Sequence, residues 1–258
     1  MKSTPATHFT CIIPARYASS RFPGKPLAMI GGMTMIERVC RQASQVLDEV
    51  WVATDDKRIL DAVTGFGGKA VMTSSNHQSG TDRCAEAAKI ITGGRADAGT
   101  VIINIQGDEP FIRPEQIKAL TDCFSDSGVM IATLIRRVTP EEDLSDPNQP
   151  KVVVSAKMDA ICFSRSPIPY FRDAPPGEWT ARHDYYKHIG LYGYRASTLR
   201  EITALPQSPL ERAERLEQLR WLENGYTVRC AVTPWENIGI DTPGDLARAE
   251  KMLREKKR

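Results

Sequence analysis

The chain has 258 residues, with 34 basic and 32 acidic side chains and a formal net charge of +2. Hydrophobic residues make up 41% and charged residues 26% of it, a globular composition that excludes a disordered or low-complexity chain. The near balance of charge argues against a surface that covers duplex nucleic acid, so any site for a polyanion must be local. This length predicts one large domain, or one domain with a small lobe.

Cysteine spacing and hydropathy further limit the class of protein that this chain can be. None of the 6 cysteines form a CxxC pair, which argues against a zinc site, and most stand in apolar runs that predict buried, reduced thiols. Residues 1–9 lack the apolar core of a signal peptide, and no run approaches the ~18 apolar residues of a membrane span. We therefore expect a cytoplasmic protein without membrane or nucleic-acid partners. The basic residues within 251–258 are interpreted as a solvated helix end.

In chain order, the first half alternates buried strands with amphipathic helices. The predicted strands cover residues 9–14, 50–53, 70–72 and 100–105. The predicted helices cover residues 34–46, 56–66, 82–91 and 114–124. This alternation is typical of a three-layer α/β fold with a mostly parallel sheet.

The second half has more strands than helices, and proline-rich segments connect them. The predicted strands cover residues 130–136, 152–155, 160–164, 189–194 and 227–232. The pattern predicts a single domain over residues 1–258, with an antiparallel lobe inserted at about residues 137–195.

Two helices are predicted near the C-terminus. Ser208 and Glu211 form a capping box that opens a helix, and the stop signal at Asn224-Gly225 ends it. Its predicted core stripe consists of Leu210, Leu216, Leu219 and Leu222. A last helix is predicted over residues 242–254.

The segment after the first strand carries a local cluster of positive charge. Arg16, Arg21 and Lys25 lie within ten residues, and two prolines and a glycine stiffen the loop that holds them. Loops that leave the carboxyl ends of parallel strands form the ligand sites of open α/β sheets. Arginine and lysine there suit a triphosphate, although the loop contains neither a P-loop nor a Rossmann glycine motif.

Carboxylates follow two further apolar segments. Asp108 comes directly after a buried strand and is a candidate Mg²⁺ ligand, because Mg²⁺ prefers carboxylate and phosphate oxygens. Asp241 precedes the last helix, and its local sequence favours a capping role. Glu109 is interpreted as an exposed acid. Ser79, in a segment that precedes a helix, is by local sequence an N-cap.

The loop sequence PARYASSRFPGKPL, at residues 14–27, resembles the N-terminal signature of sugar nucleotidyltransferases that use CTP. Within them it is similar to the 3-deoxy-manno-octulosonate (Kdo) cytidylyltransferases, the CMP-Kdo synthetases of lipopolysaccharide assembly. The supporting motifs are VATDD (52–56), HQSGTDR (77–83), NIQGDEP (104–110), KHIGLYGYR (187–195), LEQLR (216–220) and GIDTP (239–243). The resemblance covers residues 9–250, nearly the whole chain.

The resemblance implies a fold, a reaction and a set of site residues. The fold is a three-layer nucleotide-diphospho-sugar transferase-like α/β fold with a small antiparallel dimerisation lobe, and the reaction transfers CMP from CTP to Kdo with Mg²⁺ as cofactor. The implied nucleotide-binding residues are Ala15, Arg16, Arg21, Lys25, Ser79 and Gly80, of which Arg16 and Lys25 are also catalytic. The implied sugar-binding residues are Gln106, Arg165, His188, Tyr192 and Glu217. The implied Mg²⁺ ligands are Asp108, which is also catalytic, and Asp241. The resemblance also implies a homodimer.

Three alternatives remain open at this point. In two of them Kdo is not the acceptor: the acceptor is the 8-amino relative of Kdo, or it is another compound such as a sialic acid or methylerythritol phosphate. A non-catalytic regulator that binds CTP on the same fold is the more distant alternative, and the intact set of loop cations and carboxylates argues against it.

Overall fold

The computed structural model describes residues 7–18, 21–94 and 99–255 of the chain. Ser19 and Ser20 of the cationic loop lie outside the described residues, as does the end of the basic C-terminal segment, residues 256–258.

The chain divides into two compact units. The first comprises Met1–Lys118, Tyr194–Thr203 and Asn237–Arg258. The second comprises Ala119–Gly193 and Ala204–Glu236. The lobe predicted at about residues 137–195 falls almost wholly in the second unit, and its origin as an insertion into a single domain stays a prediction.

Strands and helices agree with the predicted elements to within a few residues, with additions. The strands are β1 (His8–Ala15), β2 (Met29–Ile30), β3 (Met33–Thr34), β4 (Glu49–Thr54), β5 (Lys69–Met72), β6 (Thr100–Asn104), β7 (Ile131–Arg137), β8 (Lys151–Val154), β9 (Ala160–Ser164), β10 (Tyr186–Arg195) and β11 (Val228–Val232). The helices are α1 (Met35–Ala43), α2 (Lys57–Gly65), α3 (Gly80–Ile91), α4 (Pro114–Asp122), α5 (Trp179–Arg182), α6 (Ala196–Thr203), α7 (Pro209–Glu214), α8 (Glu217–Glu223) and α9 (Pro243–Glu255). The sequence analysis did not predict β2, β3, α5 or α6.

The first unit is built on a parallel sheet with strand order β6-β1-β4-β5. Cys11, Ile12 and Ile13 in the middle of β1 are fully buried, as expected for a strand with helices packed on it. Because β1 and β6 are parallel neighbours, the loops after Ala15 and Asn104 leave the sheet at the same edge. The predicted three-layer α/β fold with a mostly parallel sheet is thereby confirmed.

The second unit mixes parallel and antiparallel pairs. β11 runs parallel to β7, whereas β8 runs antiparallel to both β9 and β10. A small apolar cluster of Val138, Trp179 and Tyr185 packs near the end of β7. The antiparallel character predicted for this part of the chain is present in β8 and β9.

Local capping explains where several helices begin. Asp56 accepts a hydrogen bond from the backbone N–H of Arg58 at the start of α2, and Ser79 forms a capping box with Asp82 at the start of α3. At Ser208 the predicted capping box with Glu211 is also present. These short side chains compete well for the free N–H groups of a first helical turn.

The single helix predicted from Ser208 to Gly225 is wrong, because the chain breaks it into α7 and α8. Arg215 adopts a left-handed conformation with φ of 51° and ends α7 after two turns. Leu216 and Leu219 are buried as predicted, but Leu210 is 48% exposed. The prediction that Leu210 belongs to the buried face is wrong, because it assumed one continuous helix. The break at Arg215 removes Leu210 from the helical face that carries the later leucines.

Four of the six cysteines are buried, as predicted for most of them, and the described residues, which include all six, contain no disulfide. Within the described ranges, every helix falls short of the length and apolar character that a membrane crossing requires.

Candidate active site

A pocket of about 260 Å³ opens in the first unit where β1 and β6 end. Polar and charged groups dominate it, and all of the predicted nucleotide-binding residues line it. The lining residues are Pro14, Ala15, Arg16, Arg21, Lys25, Pro26, His77, Gln78, Ser79, Gly80, Arg83, Gln106, Gly107, Asp108 and Asp241. The fold thus brings together all six predicted nucleotide residues, both predicted metal ligands and Gln106.

Lys25 lies between the two aspartates. Its Nζ donates to Asp108 Oδ2 at 2.6 Å and to Asp241 Oδ1 at 3.2 Å. Arg21 reaches the same Asp241 oxygen at 3.0 Å. The lysine side chain is only 13% exposed, whereas Arg21 is 65% exposed. Two carboxylates therefore share one partly buried cation, with a second cation at the rim.

The backbone around Gly24 positions Lys25. Gly24 has a φ of 71°, and its N–H donates to the carbonyl of Tyr17 at 2.9 Å, closing the loop on itself. A short 3-10 helix, Lys25–Leu27, follows directly, with Pro26 in its first turn. A positive φ is costly for any residue with a Cβ, so glycine suits this turn.

Asp241 reaches the pocket because a backbone hydrogen bond holds its segment beside Asp108. The N–H of Ile240 donates to the carbonyl of Asp108 at 3.0 Å. The capping role that local sequence favours for Asp241 is wrong: the Thr242 hydroxyl accepts from the N–H of Asp245 at 3.2 Å. The carboxylate of Asp241 is thus turned to the cations instead of to α9.

Glu109 is not the exposed acid that the sequence suggested. Its Oε2 is buried and has no hydrogen-bond partner among the described residues. Burial raises the pKa of Glu109 to about 8, and the neighbouring charge of Asp108 adds to this effect. A hydrogen bond between the Glu109 carboxyl group and Asn237 lowers the pKa but does not cancel the rise. The carboxyl of Glu109 is therefore shielded from solvent and close enough to Asp108 and Asp241 for their charges to raise its pKa.

The start of α3 forms another wall of the pocket. The Ser79 hydroxyl accepts from the N–H of Asp82 at 3.1 Å, so Ser79 both caps the helix and lines the pocket. A Cβ on Gly80 would lie 3.2 Å from the Pro14 ring, which leaves little room for a larger residue. The positive end of the helix dipole adds to the local attraction for anions.

Six lining residues had no role predicted from the sequence, and three of them, His77, Gln78 and Arg83, lie in the HQSGTDR motif. Arg83 is buried and donates to Thr73 Oγ1 at 2.7 Å and to Asp55 Oδ2 at 2.9 Å. His77 pairs with Glu86, and Gln78 donates to the carbonyl of Asn76. The motif match was the available signal for these residues.

In the second unit, His188 and Tyr192 lie close together. Their ring centroids are 5.2 Å apart, and His188 also packs edge-on against Phe163. His188 Nε2 is 3.0 Å from the hydroxyl of Thr133, and burial lowers the pKa of His188 to about 4. Burial also raises the pKa of the Tyr192 hydroxyl, with Cys230 and Glu217 adding to the effect.

The remaining predicted sugar residues have internal partners. Glu217 Oε1 accepts from Arg220 at 3.1 Å, and Gln106 donates to Asn104 Oδ1 at 3.1 Å. The guanidinium of Arg165 donates to the backbone carbonyls of Glu214 at 2.6 Å and Pro147 at 2.8 Å. The bond to Glu214 secures the C-terminal end of α7, and a ligand carboxylate would have to use the remaining donors of Arg165.

Clustered cations and carboxylates at the carboxyl ends of parallel strands define a nucleotide-binding α/β protein of the phosphate-transferring type. The profile of the cytidylyltransferase family matches residues 10–237. A 3-deoxy-manno-octulosonate cytidylyltransferase from Phocaeicola vulgatus is 56% identical over 251 residues, covering 96% of this chain and 98% of that relative. One of the same description from Thermodesulfovibrio yellowstonii is 48% identical over 247 residues, with 94% and 97% covered. The chain therefore belongs to the cytidylyltransferases and, within them, to the 3-deoxy-manno-octulosonate cytidylyltransferase family.

A solved structure agrees with this assignment. The structure of a CMP:2-keto-3-deoxy-manno-octonic acid synthetase complexed with CTP superposes with a TM-score of 0.87 at 42% identity, covering 97% of this chain and 100% of that one. A putative glucose-1-phosphate thymidylyltransferase from Bacillus anthracis shares the fold at 17% identity, with a TM-score of 0.65 and 96% of each chain covered.

Proposed function

We propose that this chain transfers CMP from CTP to Kdo and releases diphosphate, a step that supplies activated Kdo for lipopolysaccharide assembly. One observation carries the proposal: four of the motifs shared with the family, at residues 14–27, 77–83, 104–110 and 239–243, converge on a single pocket that combines loop cations with two aspartates. The similar synthetase of known structure is described as a complex with CTP, which suits a pocket of this charge.

In the proposed reaction, the anomeric hydroxyl oxygen of Kdo attacks the α-phosphorus of CTP. A new P–O bond forms, the bond from the α-phosphorus to the oxygen that bridges to the β-phosphate breaks, and diphosphate leaves. The hydroxyl proton is lost to solvent or to a phosphate oxygen. Arg16, Arg21 and Lys25 orient the triphosphate and stabilise the charge that develops on the diphosphate.

Asp108 and Asp241 are proposed to hold Mg²⁺. The fit rests on their chemistry: two carboxylates converge on one cationic group, the Lys25 ammonium, and carboxylates with substrate phosphates are the oxygen ligands that Mg²⁺ prefers. A bound Mg²⁺ would polarise the α-phosphoryl group. For Asp108 and Asp241 to bind Mg²⁺, Lys25 therefore has to leave the two aspartates and contact phosphate oxygens of CTP instead.

For the sugar acid, we propose contacts from His188, Tyr192, Arg165 and Glu217, together with Gln106. The low pKa of His188 keeps its imidazole neutral at pH 7, so it can donate or accept one hydrogen bond without adding charge. Arg165 would pair with the carboxylate of Kdo through donors that the α7 carbonyls leave free.

Diphosphate release tests this function. The enzyme is supplied with CTP and Mg²⁺, first without acceptor and then separately with Kdo, 8-amino-Kdo and N-acetylneuraminate. Release with Kdo alone supports the proposal. Release with another acceptor alone keeps the chemistry and overturns the substrate. A folded protein that binds CTP but releases no diphosphate with any acceptor would be a regulator.

The homodimer stays a prediction of the family resemblance, and the cytoplasmic location stays a prediction of cysteine usage and hydropathy. Light scattering coupled to size-exclusion chromatography measures the mass in solution. A mass near the 28.7 kDa of one chain would contradict the dimer.

A further inference from the structure

The ring of Tyr17 lies at the base of the loop that carries the pocket's cations. Tyr17 follows Arg16 directly, and its carbonyl accepts the N–H of Gly24, the residue before Lys25. A Cβ on Gly24 would come within 3.1 Å of the tyrosine's Cζ and hydroxyl oxygen, so the ring packs closely against this glycine. The ring therefore touches the point where the two ends of the loop meet.

A cation from a neighbouring helix covers this ring. The guanidinium carbon of Arg58, on α2, lies 3.3 Å from the centroid of the Tyr17 ring. Guanidinium groups stack on aromatic faces through electrostatic and dispersion attraction. Arg58 lies outside the set of residues that line the pocket, so any effect that it has on a ligand is indirect.

The guanidinium of Arg58 is itself held in place. Asp56 accepts hydrogen bonds from Arg58 Nε at 2.9 Å and from Arg58 Nη2 at 2.6 Å, which together form a bidentate salt bridge. The same carboxylate caps α2 by accepting from the backbone N–H of Arg58. The helix start, the arginine and the tyrosine ring thus form one connected series of contacts, which we call the Asp56–Arg58–Tyr17 clamp.

We propose that Arg58 is a positioning residue for the nucleotide, which acts through Tyr17 to hold the cationic loop in its binding conformation. The parallel sheet fixes the start of α2, whereas the loop is closed near Gly24, among its described residues, by backbone bonds from Gly24 to Tyr17 and from Lys25 to Phe22. A clamp from α2 reduces the number of conformations that Arg16 and Lys25 lose on binding a triphosphate. The inference rests on the proposed function, because it takes CTP as the ligand.

The test measures CTP affinity by titration calorimetry and steady-state kinetics with Kdo, for Arg58→Met and Arg58→Lys. We expect Arg58→Met to raise the Kd and KM for CTP about 3- to 10-fold with kcat unchanged, as for the loss of a cation–π contact. Arg58→Lys keeps a cation over the ring and should recover part of that loss. Arg41→Met is the matched control, since Arg41 is 61% exposed, close to the 59% of Arg58, and pairs with Glu37 on its own helix α1.

Variants of the ring test the route of the effect. Tyr17→Phe keeps the stacked face and should bind CTP like the unchanged protein, whereas Tyr17→Leu should weaken binding as Arg58→Met does. The double variant Tyr17→Leu/Arg58→Met should be no weaker than either single variant, because both remove the same contact. If Arg58→Met does not fold, Arg58→Lys and Tyr17→Leu carry the test.

A lower melting temperature with unchanged CTP affinity in Arg58→Met would assign Arg58 a purely structural role and overturn the inference. Additive losses in the double variant would overturn the route through Tyr17. If the unchanged protein neither binds CTP nor releases diphosphate, the proposed function fails and the inference falls with it. If the unchanged protein binds CTP and every variant matches it, only the inference fails.

Discussion

The ammonium of Lys25 donates to Asp108 at 2.6 Å and, from the same nitrogen, contacts Asp241 at 3.2 Å. Two carboxylates this close to one another repel, and the shared ammonium offsets that repulsion. If these two aspartates are the metal ligands, as proposed, the ammonium of Lys25 uses the same carboxylates that would hold the ion. Lysine and a divalent cation should compete for the two aspartates.

This competition makes Lys25→Met a variant that gains metal affinity. Removing the ammonium leaves two uncompensated carboxylates, so Mn²⁺ binding without nucleotide should tighten by about 10-fold. Turnover should fall by about 100-fold or more, because the charge on the departing diphosphate loses a partner. Electron paramagnetic resonance of free Mn²⁺ measures the first effect and diphosphate release the second.

Lys57→Met is the matched control for that variant. Lys57 is 80% exposed and pairs with Asp61 on the surface of α2. Its replacement should change neither the Mn²⁺ affinity nor turnover. Unaltered or weaker Mn²⁺ binding in Lys25→Met would contradict the competition.

Asp108→Asn tests the proposed metal ligand directly. The amide keeps the size of the side chain but removes its charge, so turnover should fall about 100-fold or more while the fold is retained. Diphosphate release over a range of Mg²⁺ concentrations measures the effect, and circular dichroism checks the fold. Asp61→Asn, which alters an exposed acid, is the control. A folded Asp108→Asn enzyme with full Mg²⁺-dependent turnover would rule out this ligand assignment.

The largely buried imidazole of His188 should make the free energy of unfolding depend on pH. Burial lowers its pKa to about 4 in the folded protein, against an ordinary value of about 6.5 in the unfolded chain. Between these values the unfolded chain binds the additional proton, so the free energy of unfolding should decrease as the pH falls from about 6.5 to 4. His188 keeps partial solvent access, which limits its contribution to about 2 kcal/mol.

Urea denaturation at several pH values measures this dependence. His188→Asn removes the titrating group and should flatten the curve between about pH 6.5 and 4, whatever its effect on absolute stability. His183→Asn is the control, because His183 is exposed. Equal slopes for His188→Asn and the unchanged protein would show that His188 does not contribute.

Arg215 offers a stabilising substitution. Its φ of 51° is unfavourable for a residue with a Cβ and favourable for glycine. We expect Arg215→Gly to raise the free energy of unfolding by about 0.5–1 kcal/mol. Thermal or urea denaturation measures the change. Ala213→Gly, in the preceding helix α7, should instead lower stability by about 1 kcal/mol. A destabilised Arg215→Gly protein would mean that contacts of the arginine side chain outweigh its backbone strain.

Part of the site could be predicted from sequence because its signals are local. Arg16, Arg21 and Lys25 stand in one short loop after a recognisable strand, and the parallel order of β1 and β6 brings Asp108 to the same edge. Family motifs then supplied Asp241, against the capping role that its neighbours favoured. The clamp on Tyr17 left no such signal, because nothing near Arg58 in the sequence indicates which ring it covers.

By itself, the sequence determined the family, the alternation of strands and helices, and the helix starts at Asp56, Ser79 and Ser208. These depend on hydrophobic period and on side chains that cap their own backbone, which are interactions over a few residues. Only the tertiary structure decided the burial of Glu109 and the pairing of Lys25 with Asp241. Burial and ion pairing depend on groups that are distant in the chain, here 216 positions apart, and no local pattern records which of them meet.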